Sequence, residues 1–109
     1  MASTKGGRTS EVEIAIAALR IAAERLGGEA TTGALKENVP DYIDLTPGDL
    51  KPSPTRPNEK MYRQIVGNII SHRNSKRNII CEGYAEYTGS GIRITEAGRA
   101  YLKSKGYEA

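Results

Sequence analysis

Phenylalanine and tryptophan are missing from this 109-residue chain, and it holds one cysteine and one histidine. The core must therefore be built from Ile, Val, Leu, Ala and some of the six Tyr, which suffices for one domain that buries roughly two-thirds of its unfolded surface. The single Cys81 excludes an intramolecular disulfide and any multi-cysteine zinc site, and a buried structural thiol is expected there. His72 has no cysteine at metal-ligand spacing and reads as a satisfied or solvent-facing side chain. The serines lack a nucleophile-elbow context, and Asp41, Asp44 and Asp49 lack the glycine and terminal glutamate of a calcium loop. These absences point away from an enzyme, and neither a metal, a cofactor nor a small-molecule substrate is expected. No signal-peptide pattern or long apolar span is present, so a reducing cytoplasm without membrane contact is the expected setting.

What the chain does have is charge in unequal halves. The formal net charge is only +3. From Lys51 to Arg77, however, seven bases stand against Glu59, giving +6, whereas from Glu29 to Asp49 five acids stand against Lys36, giving −4. A basic segment of that density can steer and bind a polyanion.

Residues 1–9 are small, polar and glycine-containing, and are expected to be a disordered start, with a single domain over 10–106. Ser10 and Glu13 form a capping box. Val12, Ala15, Ile16, Leu19, Ala22, Ala23 and Leu26 then follow helical spacing until Gly27-Gly28. Ile14, Ala18 and Ile21 lie on the other side, and a helix apolar on two sides has two neighbours. Either the C-terminal helix covers that second stripe or another copy does, which would make Ile14, Ala18 and Ile21 a homodimer interface.

Thr31 or Thr32 can cap a short helix to about Asn38, which Pro40 closes. All five prolines lie between 40 and 57, predicting an ordered irregular connection with at most a turn of helix after Thr46-Pro47. Pro57-Asn58 opens a second strong helix over 58–73, with Met61, Tyr62, Ile65, Val66, Ile69 and Ile70 as its apolar face. Ile79, Ile80 and Cys81 form a short apolar turn.

Between Gly83 and Leu102 the chain reads as a hairpin feeding a capped helix. A loop at Thr88-Gly89-Ser90-Gly91 sets Tyr87 opposite Ile92, Glu86 opposite Arg93 and Ala85 opposite Ile94. Tyr87, Ile92, Ala85 and Ile94 share the inner face, and Glu86 and Arg93 pair on the outer one, an interaction worth a few tenths to about 1 kcal/mol. Thr95 is the N-cap of the last helix, Glu96 suits its positive end, and Gly106 stops it. The predicted class is α+β, mainly α.

The exposed face of the 58–73 helix carries the residue types that nucleic-acid reading needs. Lys60 and Arg63 can meet phosphates or guanine, and Gln64 and Asn74 have the paired donor and acceptor that fit adenine in the major groove. Gly67, lacking a side chain, allows close backbone approach, and Ser71 completes the face. Arg56 and Asn58 at its start, and Lys76 and Arg77 past its end, extend the candidate DNA-binding set. On the hairpin, Arg93 and Ser90, with the amides of Gly89 and Gly91, are candidate phosphate contacts.

From Ser10 to Gly106 the chain resembles the winged helix-turn-helix superfamily. The residues that carry the resemblance are E-G-Y-A-E-Y-T-G-S-G-I-R-I-T-E-A-G-R-A-Y-L, similar to the wing and following helix of MarR-like and PadR-like regulators and of winged-helix domains in restriction-associated proteins. The resemblance implies a three-helix core, a C-terminal hairpin wing and an additional C-terminal helix. It further implies a recognition helix over 58–73 in the major groove of double-stranded DNA, a wing over 88–93 against the minor groove or backbone, and a nucleoid-associated role of prokaryotic type. The connection from Pro40 to Pro57 is longer than the tight turn of that family. An acidic protein partner or structured RNA would suit the same charge pattern.

Overall fold

Two threonines mark where helices begin. Thr31 Oγ1 accepts from the Ala34 amide (3.1 Å) and Thr95 Oγ1 from the Gly98 amide (3.0 Å), each satisfying one of the orphan donors of a first turn. The computed structural model of the chain describes residues 11–45, 50–52, 59–76 and 78–107. Within them it is an α+β fold, mainly helical, with four α-helices and a small antiparallel sheet. In chain order these are α1 (Glu11–Glu24), β1 (Glu29–Thr31), α2 (Thr32–Asn38), α3 (Met61–Ser71), β2 (Ala85–Tyr87), β3 (Gly91–Ile94) and α4 (Glu96–Ser104). Among the described residues no helix is long and apolar enough to cross a membrane.

The hairpin takes the expected register, with Ala85 opposite Ile94, Glu86 opposite Arg93 and Tyr87 opposite Ile92. Ala85, Ile92 and Ile94 are buried as expected, but Tyr87 is 41% exposed. At the tip end of β2 its ring lies over Arg73 and not over the core. The sequence pattern did not indicate β1. Three residues, Glu-Ala-Thr, pair antiparallel with β3, giving the order β1-β3-β2 and setting Glu29 opposite Arg93 and Thr31 opposite Gly91. Gly91 makes that pairing possible, since a Cβ there would run into the Ala30 carbonyl oxygen.

Helix α1 stops at Glu24, short of the expected Leu26, and a 3-10 turn follows over Leu26–Gly28 with both glycines at positive φ. Leu26 therefore leaves the apolar stripe and is fully exposed, and Val12 at the other end is 61% exposed. Both apolar sides of α1 face the core, since Ala15, Leu19 and Ala22 of the main stripe are buried along with the second side. Ile14, Ala18 and Ile21 are 0–2% exposed within the single chain, packed in one cluster with Leu19, Leu35, Val66, Ile92 and Leu102. That corrects the expected dimer interface, because side chains already covered by their own fold have no apolar surface to offer a second copy.

Helix α3 begins at Met61, not at 58. Lys60 is extended and bridges Pro52, and the Met61 amide donates to the Lys51 carbonyl (2.8 Å). Cys81 is exposed rather than buried. The turn closed by the Glu82 amide on the Asn78 carbonyl (2.8 Å) buries Ile79 and leaves Cys81 on its outer side. The capping-box Ser10, the start over 1–9 and half of the proline-rich connection, 46–49 and 53–57, lie outside the described residues.

Candidate nucleic-acid interface

The acidic and basic segments, far apart in charge along the sequence, fold against each other. Helix α2 lies along α3, and Lys36 Nζ on α2 contacts Glu59 Oε2 just ahead of α3 at 2.7 Å, with both side chains less than one-fifth exposed. One turn along, Arg63 Nη2 stands 3.6 Å from Glu37 Oε2. The Arg63 guanidinium is held above its ordinary value, first by a hydrogen bond with Tyr62 and then by the charges of Glu37 and Glu59. Glu37 thus offsets one base of the +6 segment, whereas Lys36 engages that segment's single acid.

Gly67 belongs to the same seam. It faces Lys36, whose Cε and Nζ would lie at ordinary contact distance, 3.8 Å, from a Cβ placed there. A side chain would therefore fit there, and the space beside Gly67 is shared with the flexible end of Lys36. Gln64 is half-buried. Of the remaining candidates, Lys60, Ser71, Asn74 and Lys76 are exposed. Arg56, Asn58 and Arg77 lie outside the described residues.

On the hairpin, Arg93 is held by two carboxylates, donating from Nη1 to Glu29 Oε2 (2.8 Å) and from Nη2 to Glu86 Oε1 (3.1 Å). Glu29 first and Glu86 second raise its affinity for its proton. The Glu86 pair was legible from the register, whereas Glu29 enters only with β1. The tip is also tied down. Thr88 Oγ1 accepts from the Gly91 amide (3.0 Å), so that amide is not open to a phosphate, and the Ser90 carbonyl accepts from the Thr32 amide (2.9 Å) and hydroxyl (3.2 Å). The Ser90 residue itself remains exposed.

Two residues passed over in sequence, Arg73 and Tyr87, join these elements. The Arg73 guanidinium lies 4.2 Å from the centroid of the Tyr87 ring, and its Nη1 donates to the Ile70 carbonyl (3.0 Å) at the end of α3. Tyr87 donates in turn to the Gly89 carbonyl (3.2 Å). The contact joins the C-terminal end of α3, where Ser71, Asn74 and Lys76 are exposed, to the end of β2. Lys60 sits at the opposite end of α3, an 11-residue helix about 16 Å long. Arg73 falls near the apolar side of the helical wheel and Tyr87 was expected on the inner face of the hairpin, so no local signal in the sequence paired them.

A separate apolar stripe runs along the outer side of α1. Val12, Ala15 and Ile16 line a groove of about 310 Å³ with Ile79, Tyr84 and Tyr101, the two tyrosine rings stacked at 4.4 Å. Comparison of the chain with protein-family models, with curated proteins and with solved structures gives no match.

Proposed function

We propose that this chain is a DNA-binding winged-helix protein, a small transcriptional regulator or DNA-associated accessory factor, in which α3 reads the major groove and the β2–β3 hairpin is a short wing. The observation that carries this reading is the junction of α3 with the hairpin. The third helix ends against the strand pair that follows it, and β1 closes that pair into a three-stranded sheet. Lys60 at one end of α3 and Arg73 with Lys76 at the other can straddle a major groove about 12 Å wide. Asn74 and Ser71, both exposed, supply the polar groups between phosphates and base edges.

Arg63 and Arg93 contribute less in this reading, since each must leave a carboxylate to meet a phosphate. Duplex binding measured by fluorescence anisotropy across a salt series tests it. Binding at low salt that weakens log-linearly with salt is expected. No binding at low salt, or equal preference for structured RNA, would sink it.

A second reading, contact with a protein or with a second copy of the chain, is favoured by the α1 stripe, where Val12 stands 61% exposed beside the Tyr84 and Tyr101 pair. The two readings are compatible, as the stripe and the α3–hairpin junction use different residues.

A further inference from the structure

Three arginines stand on or beside the α3–hairpin surface, and they are compensated differently. Arg63 stands by Glu37, and Arg93 holds Glu29 and Glu86. Arg73 has no carboxylate partner among the described residues: its contacts are the Tyr87 ring and the Ile70 carbonyl. A π face and a carbonyl dipole orient a guanidinium without cancelling its charge. One of its five N–H donors is engaged by the Ile70 carbonyl, which leaves the fork geometry suited to a phosphate largely available.

We infer that Arg73, held over the Tyr87 ring, is the principal phosphate-binding side chain of the surface, and that its ligand is a backbone phosphodiester of duplex DNA. This rests on the DNA-binding reading above and adds to it a residue that the helical wheel places near the apolar side. Tyr87 is a positioning residue. Its ring holds the guanidinium at 4.2 Å, and its hydroxyl is anchored on the loop at Gly89, so the same contact sets the hairpin against the end of α3. Holding a long cation in place before binding lowers the entropy lost on contact.

The test is duplex binding against salt for the full chain and four variants, with melting curves to verify folding. Each phosphate contact contributes roughly 0.9 to the slope of log affinity against log salt. Arg73→Gln is expected to make the slope shallower by about that amount and to weaken binding roughly tenfold, the loss of one charge-assisted contact. Arg73→Lys keeps the slope and loses part of the affinity, since charge survives and the planar fork does not. Tyr87→Leu likewise keeps the slope and weakens binding, whereas Lys103→Gln, exposed in the last turn of α4 and outside the proposed surface, leaves the slope unchanged. If wild type binds but Arg73→Gln has the wild-type slope, the inference fails and the DNA-binding reading stands. If Arg73→Gln and Arg73→Lys lower the melting temperature alike with no change in slope, Arg73 is structural only. If wild type fails to bind duplex at low salt, both fall.

Discussion

Gly91 has no room for a side chain, because β1 passes against it at the Ala30 carbonyl. Gly91→Ala should cost about 1–3 kcal/mol, the range for forced overpacking, and lower the melting temperature by roughly 4–8 °C for each of those kcal/mol. Gly33, in α2 with open space around it, should behave oppositely. Gly33→Ala is expected to stabilise by up to about 1 kcal/mol through helix propensity, and a melting curve distinguishes the pair. Tyr42 offers a pH-dependent check. Its hydroxyl donates to Glu24 Oε1 at 2.6 Å, and this bond, then burial, raises the phenol above its ordinary 10.0. A group whose folded value is raised contributes stability that is complete below its unfolded value and disappears as pH rises through the folded one. The advantage of wild type over Tyr42→Phe, at most about 1 kcal/mol for a partly solvated bond, should therefore be constant from pH 7 to 9 and shrink above pH 10. Denaturant titrations at those pH values measure it.

Among the elements, the hairpin was the most legible from sequence and β1 the least. The hairpin announces itself by alternation, two loop glycines and a following Thr-Glu cap, all local signals. β1 is three residues long and owes its existence to a partner more than sixty residues away, so no local pattern could encode it. The same long-range pairing gave Arg93 its second carboxylate and fixed the tip through Thr32. Helix α1 was legible as a helix apolar on two sides, but not the partner that covers the second side. Ile14, Ala18 and Ile21 go inside with Leu19 and Ala22, and only the packed elements decided that this chain's own fold covers them. At this scale the α2–α3 seam makes its own prediction. Glu37 is exposed and opposes Arg63, so Glu37→Gln should release that guanidinium and strengthen duplex binding, steepening the salt slope by up to roughly 0.9. Weaker binding by Glu37→Gln would place α3 on the wrong face of the complex.

Taken whole, the fold sets Lys36, Arg63 and Arg93 against carboxylates and, among the described residues, leaves Lys60, Arg73 and Lys76 as exposed or uncompensated cations along α3 and its end. The α1 stripe is a second, apolar surface. If it meets another copy, sedimentation should show mass rising with concentration, and Val12→Asp should return the chain to a monomer. A concentration-independent monomer mass would remove that contact. The central claim is that the α3–hairpin junction grips duplex DNA, and the salt dependence of duplex affinity tests it most directly. With one phosphate each for Lys60, Arg73 and Lys76, log affinity should fall against log salt with a slope of about −2.7, steeper if Arg56 and Arg77 add theirs. Absence of binding at low salt, or binding indifferent to salt, would contradict the account.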